Sequence, residues 1–360
     1  MIRYTSMGST LPGAEAALPS SLPVLAVVVI TRNEEQHIGM CLSAVLRAVQ
    51  SHPGTRVVVV DSDSDDATAT IAAQFPVEVY RYHSATRTAA AGRFVGTQFV
   101  SARYILFVDG DSQIEAAWLP SAIDLMERYG QVGVVFGRRR EIYEGVSPAY
   151  KSALAADEKS LGGNALYRRS ALLAAGGFNP YLTSEEEGEL RGRLEAAGYK
   201  VTQTPELMFT HYTVPKDTWH GQVRRIRRRM MKGSGQVLRA AIPRGLFWYH
   251  ARRLNRHLVM LAYVALGIAS VIAVSTGLPL AILQVWVGVG IFAFAGLWYR
   301  RGCFRSATYI VSDWTLGAIG LVMGFLAPLP DPHSFAPVIE PVSLRAGGPA
   351  DQSQDVAQSG

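Results

Sequence analysis

Between residues 25 and 136 the chain repeats one pattern four times and begins it a fifth. A short, largely unbroken run of apolar, mostly β-branched residues is followed by a segment whose apolar residues recur at helical spacing. The runs are 25–30, 57–60, 77–82, 104–108 and 132–136. A run with no polar face leaves nothing for water to solvate, so each predicts a strand covered on both sides. In 37–50, Ile38, Cys41, Leu42, Val45, Leu46 and Val49 share one helical face. Further helices are predicted over 67–75, 89–100 and 118–129. Buried strands alternating with helices predict an α/β fold, a Rossmann-like, mostly parallel sheet with helices on both faces.

Past Arg140 the pattern loosens. A strand is predicted at 166–167, and a short helix over 169–175 ended by Gly176 and Gly177. A helix over 186–197, a last strand at 200–203 and a long basic helix over 222–239 follow. The soluble domain is therefore expected over 23–240. Residues 1–22 are rich in Gly, Pro, Ser and Ala and lack an apolar core, so they predict a disordered lead-in and no signal peptide.

From His257 to about residue 329 the chain is almost free of charge, apart from Arg300, Arg301, Arg305 and Asp313. Three segments, 258–275, 278–298 and 307–326, are each long enough to span a bilayer core of about 30 Å. They predict a membrane region over 241–329, with a flexible tail at 330–360. Arg252, Arg253 and Arg256 precede the first span, and Arg300, Arg301 and Arg305 lie between the second and third. The positive-inside rule puts both clusters in the cytoplasm. The expected protein is multi-pass in the inner membrane, with its α/β domain cytoplasmic and its tail outside. Asp313 opposes that count, because a charge inside a span costs a few kcal/mol unless it is paired. A re-entrant third segment would return the tail to the cytoplasm. The net charge is +6, with basic residues crowded between Arg224 and Arg256. Beside apolar segments this block points to anionic membrane lipids, not nucleic acid. Trp219 and Trp248 read equally as interface anchors or core residues. Cys41 and Cys303 fall in different parts of the fold, so no disulfide is expected.

Sheets of this kind bind ligands at the carboxyl ends of their strands, and the polar exceptions lie there. The first run ends in Thr31-Arg32-Asn33-Glu34-Glu35, the second in Asp61-Ser62-Asp63-Ser64-Asp65-Asp66, the fourth in Asp109-Gly110-Asp111. Asn33 and Asp66 each have a plainer reading as a helix cap. Acids from three strand ends on one sheet edge repel one another, which suits a shared divalent cation, Mg²⁺ or Mn²⁺. His211, after the last strand, is a further candidate for the metal or a phosphate, with a structural role as the alternative. The first glycine after the first strand is Gly39, so the glycine-rich turn of a dinucleotide site is missing.

In this order and spacing the motifs resemble those of the family-two glycosyltransferases, which have the GT-A fold. The resemblance covers roughly residues 24–239. Thr31, Asn33 and Glu34 lie in what looks like the family's nucleotide-side turn. Asp61 matches the acid that contacts the base, and Arg93 falls where the family often has an arginine. Asp109 and Asp111 match its D-x-D, which makes Asp111 the direct metal ligand. Gly162-Gly163-Asn164-Ala165-Leu166 resembles the stretch lining the sugar and acceptor, so Gly163 and Asn164 join the expected site. Glu186-Glu187-Gly188-Glu189-Leu190 resembles the family's E-D-x-D-L motif, making Glu187 the catalytic base with Glu186 next in line. Gln222-Val223-Arg224-Arg225-Ile226 resembles Q-x-x-R-W, so Gln222 and Arg225 are expected at the diphosphate. Ile226 in place of Trp departs from the pattern of processive polymer synthases.

The resemblance implies an inverting transfer of sugar from a nucleotide-diphosphate donor to a lipid-linked acceptor, in polysaccharide or glycolipid synthesis. Two alternatives stay open. One is a polyprenyl-phosphate sugar synthase. The other is an inactive nucleotide-binding scaffold among the membrane proteins of a biosynthetic complex.

Overall fold

The computed structural model describes residues 22–143, 153–154, 162–213, 219–227 and 230–344. The first half runs β1 (Leu25–Thr31), α1 (Ile38–Ala48), β2 (Arg56–Asp61), α2 (Thr68–Ala72), β3 (Glu78–His83), α3 (Ala89–Phe99) and β4 (Tyr104–Asp109). Every residue of β1 is buried, which requires cover on both faces of the sheet. Part of that cover is α3, whose Gly92 and Gly96 bring its backbone against Ile30 and Val28. Next come β5 (Ser112–Ile114), α4 (Trp118–Arg128), β6 (Val132–Tyr143), β7 (Ala153–Leu154), β8 (Ala165–Arg168), α5 (Arg169–Ala174), α6 (Glu186–Ala196) and β9 (Lys200–Thr213). The remainder is α7 (Trp219–Arg227), α8 (Gly233–Ala241), α9 (Phe247–Arg253), α10 (Asn255–Ser275), α11 (Ala281–Arg301), α12 (Phe304–Leu326) and β10 (Val338–Leu344).

One sheet holds all the described strands, in the order β10-β3-β2-β1-β4-β8-β6-β9-β5, with β7 beside β6. The run β3-β2-β1-β4 is parallel throughout, as the apolar runs predict. β8 inserts antiparallel between β4 and β6. β6 and β9 extend to 12 and 14 residues, well beyond the expected 132–136 and 200–203. Their parallel ladder continues past Arg138, Arg139 and Arg140. Backbone hydrogen bonds carry it after the apolar signal has stopped.

The single basic helix expected over 222–239 is instead two helices, α7 and α8, with a 3-10 turn at Met230–Lys232 before α8. α8 is buried along nearly its whole length, so it is no interfacial helix. The reason is its small residues. A Cβ on Gly235 would overlap the Leu321 carbonyl, and Cβ atoms on Gly320 and Gly324 would overlap the carbonyls of Met231 and Lys232. α12 therefore meets α8 and the preceding turn backbone against backbone.

Among the described residues three helices are long and apolar enough to cross a membrane: α10, α11 and α12. α10 and α11 form a hairpin in which Trp286 stacks on Tyr263, centroids 4.8 Å apart, above Gly267. Trp248 is 73% exposed and Trp219 45%, so neither is a core residue.

The expected flexible tail is ordered over 330–344. β10 pairs antiparallel with β3 from Val338↔His83 to Leu344↔Glu78. Just before it, Phe335 is buried, edge-on to Tyr82, Phe94 and Tyr181 at 5.7–6.4 Å. Burial of that ring accounts for order where composition predicts none. Residues 1–21 and 345–360, including most of the expected lead-in and half of the tail, lie outside the described residues. Cys41 and Cys303 are both free thiols, the first buried and the second exposed.

Candidate functional site

The chain lays β2 and β3 on one side of β1 and then β4 on the other. Strand order thus reverses between β1 and β4, and the carboxyl ends diverge there to leave a crevice. Register brings the polar residues level: Thr31 opposes Asp61, and Ile30 opposes Asp109. Asp111 lies just beyond, and β5 pairs with β9 so that Ser112 opposes His211.

Arg93, on α3, is the hub. It is 1% exposed and donates to Asp109 Oδ1 at 2.8 Å, to Glu186 Oε1 at 2.9 Å and to the Gly163 carbonyl at 3.2 Å. Glu187 Oε1 lies 3.2 Å from the same guanidinium. The Phe178 ring covers its other side, 5.6 Å from the guanidinium carbon. Burial works against the Arg93 charge, but Asp109, Glu187 and Glu186 outweigh it and its pKa is raised. Arg93, expected among the residues that bind the nucleotide sugar, is thus held by three acids of the crevice. Burial pushes both Glu186 and Glu187 above the usual carboxylate range, and the charge of Glu186 adds to the rise at Glu187. The Glu186 side chain is 9% exposed and that of Glu187 16%, so Glu187 is the acid more open to the crevice. Glu185 precedes α6 with φ 63°, and its side chain makes no cap hydrogen bond.

Asn164 and Gly163 shape the Asp109 end. The Asn164 side chain accepts from the Asp109 backbone N–H at 2.7 Å and donates to Ser112 Oγ at 2.9 Å. A Cβ on Gly163 would overlap Asp109 Oδ2. Asn164 holds the strand end in place, and Gly163 leaves room for the carboxylate.

Asp111 differs from Asp109. Its Oδ2 lies 3.2 Å from His211 Nε2, and its Oδ1 is buried without a hydrogen-bond partner. Burial would raise the Asp111 pKa, but the His211 hydrogen bond and charge outweigh it and the carboxyl is lowered. An ionised carboxylate with one bare oxygen beside an imidazole fits a divalent cation. Asp109, already bound to Arg93, is the poorer direct ligand. Among the described residues no three His, Cys, Asp or Glu side chains form a protein-only cage. Mg²⁺ needs none where one or two protein ligands are completed by substrate phosphates and water.

The nucleotide-side turn is locked to the 61–68 loop. Asn33 donates its backbone N–H to Ser64 Oγ and accepts from the Asp65 N–H with its side chain, both at 2.9 Å. Its φ of 56° is left-handed, a conformation Asn tolerates better than most residues. Asn33 caps no helix: it ties two loops. Asp66 is not the cap of α2 either, that position being Ala67: it accepts from the Thr68 N–H at 3.0 Å and from the Glu35 N–H at 3.2 Å. Asp61, fully buried, accepts from Arg81 Nε at 2.9 Å and from the Ser64 N–H at 3.1 Å. The Thr31 hydroxyl is buried and unpartnered. Glu34 is pushed up to about 7, first by burial and then by the charge of Asp111, with His37 and Arg224 pulling the other way.

Gln222 and Arg225 turn away from this crevice. Arg225 donates to Asp313 Oδ1 at 2.8 Å. Gln222 accepts from Ser312 Oγ at 3.0 Å and donates to the Tyr309 carbonyl at 3.3 Å. Arg224, next to Arg225, is the arginine whose charge reaches Glu34. Sequence reasoning missed two partners. One is His37, 3.1 Å from Glu34 and stacked with Tyr212 at 5.7 Å; its only signal is its place two residues after the 31–35 turn. The other is Asp313, whose lone charge in an apolar helix was itself the signal.

Comparison with known proteins agrees with the fold. The model described as glycosyl transferase family 2 matches residues 26–178. A glycosyltransferase of Haloferax volcanii, AglE, is 25% identical over 235 residues, 61% of this chain and 76% of that protein. The solved mannosyltransferase PcManGT of Pyrobaculum calidifontis, in complex with GDP-Man and Mn²⁺, has a TM-score of 0.55 at 19% identity, covering 84% of this chain and 88% of that one. S. aureus TarS 1–349, in complex with UDP-GlcNAc, has a TM-score of 0.52 at 16% identity, covering 84% and 92%.

Proposed function

We propose, from the match of residues 26–178 to the glycosyl transferase family 2 model and from the shared fold, that the chain transfers a sugar, with inversion, from a nucleotide-diphosphate sugar to a lipid-linked acceptor at the membrane surface. One observation carries the reading. A single buried guanidinium, Arg93, grips Asp109 of the D-x-D and both glutamates of the candidate base pair. The donor side and the acceptor side are thus held in fixed relation.

An acceptor hydroxyl attacks the anomeric carbon as the bond to the diphosphate oxygen breaks. The electron pair leaves with the diphosphate. The hydroxyl proton passes to Glu187, the more open carboxylate. One displacement inverts the anomeric configuration. Asp111 and His211 are the residues that would hold Mg²⁺ or Mn²⁺, which when bound offsets the charge developing on the leaving diphosphate. Arg224, whose charge reaches Glu34, is our candidate to meet the same phosphates. Exposed α10 and α11 suit an acceptor that resides in the bilayer.

The test is transfer from a panel of nucleotide sugars to a lipid extract by the purified full chain. Asp111→Asn should abolish transfer while leaving the fold intact, and excess chelator should do the same reversibly. Turnover that persists in chelator would remove the cation from the reading.

A second reading has its own support. An acid raised by burial is poorly charged near neutral pH, which suits an acceptor that needs no base. A polyprenyl-phosphate acceptor is already ionised, and for it Glu187→Gln would retain most activity.

A further inference from the structure

The sequence asks α12 to cross the bilayer with a charge inside it. Instead α12 is attached to the catalytic domain along its length. Near its start Trp219 meets Tyr309 edge-on at 6.4 Å, and Gln222 and Arg225 bind Tyr309, Ser312 and Asp313. In the middle Gly320 and Gly324 abut the backbone of Met231 and Lys232. At its end Arg239 donates to the Phe325 carbonyl at 2.9 Å. The helices that hold it belong to the soluble domain. Gln236 of α8 accepts from the Thr183 N–H at 3.0 Å and donates to the Tyr181 carbonyl at 3.1 Å. Ser184 donates to the Met230 carbonyl at 2.6 Å.

The chain after α12 settles the sides. Between Leu326 and Val338 the one regular element is the 3-10 turn Pro332–Ser334. Irregular backbone does not cross hydrocarbon, where its polar groups have no partners. β10 lies on β3, so the end of α12 is on the same side as the sheet. Its start is bound to α7, whose Arg224 carries its charge to Glu34 of the crevice. Both ends of α12 thus share one side. The hairpin contrasts with it. In its most apolar window 28% of α12 is buried against protein, against 11% of α10 and none of α11. Of the exposed large apolar residues of α12, Phe304, Ile319, Met323 and Leu326, the last three recur at i, i+4 and i+7 on one outward face, the pattern of a helix lying in an interface.

We propose that α10 and α11 alone cross the bilayer, as a hairpin, and that α12 lies along the lipid surface as part of the catalytic domain, so that the chain returns to the side on which the site opens. The proposal rests on the reading of α10 and α11 as spans. It places Arg252, Arg253 and Arg256 on the same side as Arg300, Arg301 and Arg305, as the positive-inside rule requires. It also relieves Asp313 of any place in hydrocarbon, where Arg225 would have had to follow it.

The test uses the full-length chain in sealed membrane vesicles of known sidedness and a membrane-impermeant maleimide. The native thiol Cys303 is one probe, since Cys41 is buried. The others are Thr276→Cys and Ala336→Cys, each in a Cys303→Ser background. The expected result is labelling of position 276 from one face only, and of positions 303 and 336 from the opposite face only. Labelling of 336 from the same face as 276 means three crossings and overturns the proposal. Labelling of 276 from the same face as 303 means no crossing and overturns the hairpin itself. Sugar transfer by the same preparations reports on the enzymatic reading separately.

Discussion

Residue by residue, the site is a balance between one cation and several acids. Burial first, then Glu186, raises Glu187, so Glu187, the base we propose, is charged only as pH rises. Maximal rate should therefore increase with pH across the neutral range. Glu187→Gln should cut it by about 10²–10⁴, the usual contribution of a general base, with donor affinity little changed. Glu186→Gln removes a neighbouring charge that disfavours ionisation of Glu187. It should keep most activity and move the acidic limb to lower pH, measured by steady-state kinetics over a pH series. If Glu186→Gln abolishes turnover and Glu187→Gln does not, the roles are exchanged. Arg93 is the complementary case. Arg93→Met leaves three acids around an uncompensated hole and should destabilise the fold by about 3–5 kcal/mol, the cost of breaking a buried ion pair, read by denaturant unfolding. Asp61, Asp109 and Asp111 were legible in the sequence because they cluster after apolar runs, whereas Glu186 and Glu187, on α6, were legible only through the family resemblance. The true partners of Asn33 and Arg225 were not legible, since a polar side chain in a loop carries no mark of whether it faces ligand or neighbouring backbone.

At the level of elements, what could be read depended on where burial comes from. β1, β2 and β4 are covered on both faces, so burial is written in nearly every residue and the strands announce themselves. β10 takes its stability from backbone pairing with β3 and from a single anchor, Phe335, and its own residues are mostly exposed. Its composition therefore reads as tail. α12 reads as a span because glycines do not lower hydropathy enough to reveal a helix contact. That contact predicts an asymmetry between two glycines. Gly235→Val forces a side chain into the Leu321 carbonyl and should cost about 1–3 kcal/mol through overpacking, loosening α12 to limited proteolysis. Gly296→Val on α11 meets nothing within 4 Å and should leave stability and proteolysis unchanged. Equal effects from both would mean that α12 is not docked on α8.

For the whole molecule, the catalytic unit is discontinuous in the chain: residues before α10 and residues after α11 close the same fold. Phe335→Ala removes the ring that sits among Tyr82, Phe94 and Tyr181 and should cost about 3 kcal/mol, with the loss seen in the soluble domain although the change lies past every apolar helix. A thermal melt followed through the domain's tyrosines and tryptophans would show it, and an unchanged melt would mean that 330–344 is dispensable to the fold. The pairing of β10 with β3 also imposes a chronology on biosynthesis. In the proposed topology the ribosome makes β3 early and β10 only after the hairpin has entered the bilayer. For all that interval β3 offers an open row of backbone donors and acceptors, the kind of strand edge that recruits foreign strands. The last strand to be made is thus the one that shields the sheet from aggregation, and chains stalled between α11 and β10 should be the ones that clump.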